Sequence, residues 1–579
     1  MFKFVFAMLL VWGLSFATAH ELTAFRNVNV IPMEGAKAIL VNQTVVVKHG
    51  IIERIGPTAK MTVPKDATVI EAKGKFLIPG LVDTAIYGLD PHALFDWTSH
   101  GITAVRHMRA AEVVQSWRPR VDHDFFLAPD LYLSWHLIAS TNDRIRGPYI
   151  TVDDEDDAKK VVRDHGDRGY DFIRATRDLT PTAFHALLTE ANRHDFPVLG
   201  YVPKGVLVED MGPMISLEGL DALVASSQSK DSPFRDGVPR SDGVRAYGFI
   251  DEAAFARNAA LLARRGVVVS LSLTGLMSAR ADEAQTRAFL ARPEWRFVGP
   301  EYQRFFDPLR NAEQSEAERA DLAQAKVRLP RLLELLRDAK VPIAIGSAAT
   351  RGLHLSGFDY GRELNLLVEM GFTPAQALRA ATVNGARALN ASRTLGTVVE
   401  GKRANLVLLN GNPLERIEHA GDLAGVLLRG RWLPRAELER RRAERAVFFE
   451  REIELLKRIR EQGAAPLLAE YKAAREKDPD LQWFREWTLV RVGYNYLYRS
   501  KDLERATGVF ELMAASYPDL FNSYDCLGEA HLVAGRLDLA KSNYEKCLEL
   551  RPGFQNALEK LAEINAAATN SAKGKESRP

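Results

Sequence analysis

The side chains in this sequence that could do chemistry are few and scattered. His92, His100, His107, His136 and His354 fall near the ends of apolar runs and could offer imidazole nitrogens to a divalent metal. They could form a relocated metal site, but no two of them have the spacing of ligands on one helix face, which makes that the weaker reading. The acidic run Asp153-Asp-Glu-Asp-Asp157 could suggest calcium, but no loop glycine or closing glutamate follows at the spacing a calcium loop needs. With Thr151 as a cap, it reads instead as the acid-rich first turn of a helix. Ser134, Ser272 and Ser347 lack the strand-turn-helix setting of a nucleophilic serine. Cys526 and Cys547 are the two cysteines, and either a bridge or two free buried thiols suits a helical hairpin.

The elements that would position such residues are clearer. Residues 77–87, Leu-Ile-Pro-Gly-Leu-Val-Asp-Thr-Ala-Ile-Tyr, form an apolar run that Pro79-Gly80 breaks at its start and that ends in small and polar residues, as a strand opening on a pocket would. Seven further candidate strands follow, at 102–108, 131–137, 171–176, 197–202, 222–225, 267–273 and 342–346, and helical periodicity separates several of them. Eight strand-helix alternations predict an α/β fold, a (β/α)8 barrel of the TIM type, with its chemistry at the C-terminal ends of the strands. Short strands at 24–32 and 39–55 need partners, which residues 404–410 and 425–432 offer, so the two ends predict one split β-sandwich domain around the barrel.

These motifs resemble the amidohydrolase superfamily, metal-dependent hydrolases of the imidazolonepropionase and cyclic-imidase type. The resemblance covers residues 25–433 and rests on the Pro-Gly strand, on Gly101-Ile-Thr-Ala-Val-Arg106, on the helical signature from Phe372 to Leu389 and on the closing strand Gly401-Lys-Arg-Ala-Asn-Leu-Val-Leu-Leu409. It implies six metal-ligand positions around one or two divalent ions, with a metal-bound water as nucleophile. Carried over residue by residue, the paired histidines of strand one become Ala85 and Tyr87, and the carboxylated lysine of strand four becomes Arg174. The histidines of strands five and six become Tyr201 and Ala225, and the aspartate of strand eight becomes Ala348. None is a usable donor, so no metal and no other cofactor is expected and no catalytic residue is assigned. Tyr87, Arg174 and Tyr201 are left lining the pocket, where they either bind a small anion or acidic side chain or fill the vacated space.

At 579 residues the chain should form several domains, and 46% apolar with 26% charged residues is ordinary for a soluble protein. A net charge of +2 gives no broad footprint for nucleic acid. Residues 1–19 read as a signal peptide with Ala17-Thr18-Ala19 before the cleavage site, which predicts an exported, periplasmic or extracellular protein with no membrane attachment after cleavage. The expected domains are 20–75 with 398–433 as the composite β-domain, 76–397 as the barrel, and 434–480 as a charged helical linker. Residues 481–569 then form the repeats and 570–579 a disordered tail.

The repeats rest on Tyr524, Leu527, Gly528, Gly535, Ala540, Tyr544 and Pro552, which resemble a tetratricopeptide (TPR) unit, with Gly493, Ala506, Phe510 and Pro518 as a preceding one. Pro518 and Pro552 lie 34 residues apart, the period of that repeat. The functional expectation is a pseudoenzyme: a binding or scaffold protein whose repeat groove holds a protein or peptide. The alternative is a hydrolase acting on non-peptide carbon–nitrogen bonds through an atypical site.

Overall fold

A computed structural model of the chain describes residues 22–87, 91–110, 112–122, 127–141, 149–235, 238, 243–277, 283–299, 316–348, 354–479 and 481–576. The signal-peptide expectation at 1–19 lies outside them. The chain divides into two compact units at residues 292/293, 305/306 and 441/442.

In the larger unit the two ends of the expected split domain meet in one sheet. Leu406–Leu409 lies antiparallel to Phe76–Pro79, with Val407 opposite Ile78 and Leu408 opposite Leu77. Leu22–Val30, Leu40–Lys48 and Ile51–Pro57 extend the sheet on one side, and Leu423–Leu428 and Arg431–Pro434 on the other. Period-two alternation explains the placement. Leu77, Leu406 and Leu408 pack with Phe25, Val45 and Val47, while Ile78, Val407 and Leu409 join the larger core.

The remaining strands of this unit run parallel. Leu81–Ile86, Ile102–His107 and Asp130–Leu133 form one sheet. Ile173–Ala175, Val198–Gly200, Ser216–Glu218, Val268–Leu271 and Ile343–Ile345 follow one another in a second sheet, which Leu137–Ala139 and Tyr149–Thr151 extend. A parallel bridge from Ser134 to Phe172 links the sheets on one side. On the other, Thr84 Oγ1 donates to the Ile345 carbonyl at 2.9 Å. Gly346 permits that approach, since a β-carbon there would stand 2.8 Å from the Ala85 β-carbon.

Three sequence expectations are corrected. The apolar stretch 222–225 is part of the helix Asp221–Ser226, and the sixth strand is Ser216–Glu218 just before it. Gly219, at φ +72, ends that strand in a conformation glycine adopts readily, and a four-residue apolar run carries no period that separates strand from helix. The third strand is split into Asp130–Leu133 and Leu137–Ala139. Thr151 ends a strand, and the cap of helix Glu155–Asp167 is Asp154, whose carboxylate accepts from the Asp157 amide at 2.9 Å.

The smaller unit is helical. Glu486–Tyr494, running on into the wider turns of Asn495–Ser500, is followed by Leu503–Ser516, Phe521–Val533, Leu537–Leu550 and Gln555–Glu576. Glycines and aromatic rings pack in pairs: a β-carbon on Gly493 would lie 2.3 Å from the Phe510 ring, and one on Gly528 3.0 Å from the Tyr544 ring. Cys526 and Cys547 are free, buried thiols. A buried ion pair holds Glu452 to Arg485, whose amide and Nε each donate at 2.9 Å. The tail expected to be disordered from residue 570 is helical to Glu576, and residues 577–579 lie outside the described ones. No described helix is long and apolar enough to cross a membrane.

Candidate functional site

Local conformation at three strand ends sets the site. Gly200 has φ +122, and a β-carbon there would stand 2.3 Å from the Ala175 carbonyl oxygen. Only glycine lets the two strands approach this closely, and Tyr201, next in the chain, donates its amide to that same carbonyl at 3.0 Å. Arg174 occupies the middle of Ile173–Ala175, between the buried Ile173 and Ala175, and is itself 3% exposed. Tyr87 follows the strand Leu81–Ile86 directly.

Tyr87, Arg174 and Tyr201 meet. Arg174 Nη2 donates to the Tyr87 hydroxyl at 3.1 Å, and its guanidinium lies 5.7 Å from the ring centres of both Tyr87 and Tyr201. Arg177 lies 4.3 Å from the centre of the Tyr201 ring and pairs with Asp221. The anion on Arg174, however, belongs to the chain itself. Arg174 Nε and Nη2 donate to the two carboxylate oxygens of Glu218, each at 2.7 Å, with the side chains 3% and 6% exposed. The bond is a two-pronged, charge-assisted one.

Glu218 is the residue that the sequence reading missed, because the sixth strand was placed after it. The signal was present in Ser216-Leu-Glu-Gly219, where a strand ends at a glycine. Ala225 sits in the helix beyond that strand, not at a strand end. Ala85 is buried at the end of the first strand, and Ala348 takes a left-handed φ of +49 after Ser347. Ala85 and Ala348 flank a second buried carboxylate, Asp83. Its oxygens accept from the Ala85 and Ser347 amides at 3.1 and 2.9 Å, from Trp97 Nε1 at 2.9 Å and from the Ser347 hydroxyl.

The electrostatics follow from burial. Burial disfavours the Arg174 charge, but Glu218 and the neighbouring phenols outweigh it and hold the guanidinium more firmly protonated than usual. Arg106 is fully buried on the strand Ile102–His107, donating to the Thr84 carbonyl at 2.6 Å and the Ala388 carbonyl at 3.0 Å. Burial brings it down to about 10, with Glu218 opposing and Arg174 adding to the shift. Burial likewise raises Asp83, against the bonds it accepts, and raises Tyr201.

Each of the five histidines has its own setting. His100 Nδ1 lies 2.7 Å from the Asp96 carbonyl oxygen, and His354 Nδ1 lies 3.0 Å from Thr274 Oγ1, which also bonds Glu363. His107 is buried on its strand, His136 packs against Trp135, and His92 lies in the short turn Pro91–Ala93. Among the described residues no group of three or more histidines, cysteines or carboxylates is arranged to hold a metal ion.

Comparison with known proteins adds a family domain: the amidohydrolase family model matches residues 247–433. The imidazolonepropionase of Pseudomonas savastanoi pv. phaseolicola is 24% identical over 430 residues, which are 69% of this chain and 94% of that protein. A shorter match, to the imidazolonepropionase of a Geobacillus species, is 44% identical over 55 residues, covering 9% of this chain and 13% of the relative. Among solved structures, the bottromycin amidohydrolase aligns with a TM-score of 0.59 at 21% identity, covering 74% of this chain and 90% of its own. A Xaa-Pro dipeptidase aligns at 0.52 and 16%, covering 71% and 100%. Residues 247–433 thus match the amidohydrolase family domain, and the chain shares the fold of these hydrolases.

Proposed function

We propose that this protein is a catalytically degenerate amidohydrolase: its parallel strands close as a (β/α)8 barrel whose mouth holds a guanidinium in place of a metal ion. The observation that carries this is the Arg174–Glu218 pair. Glu218 spends both oxygens on Arg174, and Asp83 spends both on Ser347, Trp97 and Ala85. A divalent ion needs several such donors free at once, and a guanidinium repels it. The side chains at the mouth therefore do not fit the metal that the family implies, and no hydrolytic step is routed through one. A small anionic ligand would have to displace Glu218 from Arg174, so the pocket serves as scaffold. Binding then falls to the helical unit, read as TPR repeats that hold a protein or peptide segment after export of the chain.

The test is metal analysis after incubation with excess zinc, manganese or iron and removal of free ion. Less than stoichiometric metal is expected. One equivalent that is retained by the wild-type protein and lost on Glu218→Gln would overturn the proposal. A pull-down in which a truncation at residue 480 keeps every partner would remove the role given to the repeats.

A second reading is supported by the names of the relatives, which are hydrolases. On it, the chain hydrolyses a non-peptide carbon–nitrogen bond with Asp83 or Glu218 as the working carboxylate. Turnover of imidazolonepropionate that disappears in Glu218→Gln would favour this reading.

A further inference from the structure

A second feature of the larger unit lies at the other end of the strands from Tyr87 and Arg174. Val341 and Pro342 lead into the strand Ile343–Ile345, whose far end runs on through Gly346 to Ser347 and Ala348. At the entry end a cleft of about 330 Å3 is lined by Arg337, Lys340, Arg379 and Arg387, with no carboxylate in its wall. Gln376 and Arg379 also line an adjoining cleft of about 710 Å3, which Lys37, Lys402 and Glu34 border.

Three of these four cations are not neutralised internally. Among the described residues, Lys340, Arg379 and Arg387 make no ion pair, although Arg379 reaches the Met33 carbonyl at 3.3 Å. Arg337 turns to the Gly371 carbonyl at 2.8 Å and to Glu334. Arg387 is positioned by packing over the C-terminal end of helix Glu252–Arg265, where Gly266 has no side chain; a β-carbon there would lie 2.0 Å from its Nη2. The adjoining cleft is different in character. Ile31, Met33, Val383, Leu395 and Leu414 give it apolar walls, and Thr397, 7% exposed, presents a hydroxyl with no hydrogen-bond partner. A buried hydroxyl left unsatisfied beside a cavity is a place where a ligand or water atom completes the bonding.

We propose that the two clefts form one site for a phosphate-bearing small molecule. The phosphate sits against Lys340, Arg379 and Arg387, and the less polar body extends along the larger cleft past Thr397. Three unpaired cations match a doubly charged oxyanion better than a single carboxylate, and two planar guanidinium groups present donors at the spacing of phosphate oxygens. This proposal is independent of whether the other end of the strands is catalytic.

The probe is phenyl phosphate, titrated calorimetrically into the full chain, with inorganic phosphate and benzoate as comparisons. Saturable binding is expected, tighter than for either comparison, and weakened at least about tenfold in Arg379→Glu and in Arg387→Glu. The exposed Lys160→Glu should bind as the wild type does, and Thr397→Val should weaken phenyl phosphate less than either charge reversal. Melting temperatures establish that each variant is folded. Sedimentation with phosphatidic acid vesicles, lost in Arg379→Glu, would assign the phosphate to a lipid headgroup; binding of phenyl phosphate without sedimentation would assign it to a free molecule. No saturation at millimolar phenyl phosphate, wild-type affinity in both charge reversals, or benzoate binding as tightly would overturn the proposal.

Discussion

Replacing Arg174 by Met would leave the Glu218 carboxylate buried with its two 2.7 Å bonds gone. Both partners are almost fully shielded, at 3% and 6% exposure, so solvent screens the loss little. Breaking a buried pair by removing one member costs about 3–5 kcal/mol, because the remaining charge is uncompensated. The stranded carboxylate can escape by taking up a proton. In the variant its folded-state pKa lies above the unfolded value, so folding takes up a proton, and the destabilisation is largest at high pH. It eases by up to about 1.4 kcal/mol per unit as pH falls toward the unfolded carboxylate value near ~4.3. Glu218→Leu alone should cost a similar amount by stranding the guanidinium, whereas Arg174→Met with Glu218→Leu should cost far less than the two added together. Urea unfolding followed by tryptophan fluorescence, with the transitions of the two units fitted separately, measures each corner of the cycle. Single variants that each cost under about 1 kcal/mol, or costs that simply add in the double variant, would refute the view that this pair is the charge centre of the strand ends.

Acid should destabilise the larger unit through its buried histidines. Burial lowers His165 and His354 to about 4, so the unfolded chain binds protons first: their contribution is complete above the ordinary value near ~6.5 and is lost as pH falls from there to about 4. Glu363, raised to about 7 by burial, works the other way, its contribution being present below ~4.5 and lost as pH rises to about 7; Glu363→Gln should therefore steepen the acid loss in a melting-temperature profile, and superimposable profiles would count against this. Gly200→Ala should yield insoluble or strongly destabilised protein, since the new methyl would meet the Ala175 carbonyl at 2.3 Å, while Gly361→Ala, with open space around it, should change melting by a degree or so at most. In the smaller unit, Gly493→Ala should cost about 1–3 kcal/mol by overpacking the Phe510 ring, and Phe510→Leu in the same chain should recover part of it in thermal unfolding.

Much of the architecture is local and therefore readable. Pro79-Gly80 and the apolar strands act through near neighbours, and in the helical unit the structure packs Gly493 on Phe510 and Gly528 on Tyr544. Of the side chains that the sequence places at strand ends, Tyr87, Arg174 and Tyr201 meet in the structure. What the sequence could not supply was the partner of the charge. Glu218 is 44 residues from Arg174, and its strand is three residues long, too short for an alternating pattern to mark. A short apolar run six residues later carried the stronger local signal and drew the strand to the wrong place. Composition and period determine which residues are buried; which buried acid meets which buried base depends on how parallel strands align across the sheet. That alignment is fixed by packing and hydrogen bonding between distant segments, and only the tertiary structure decided it.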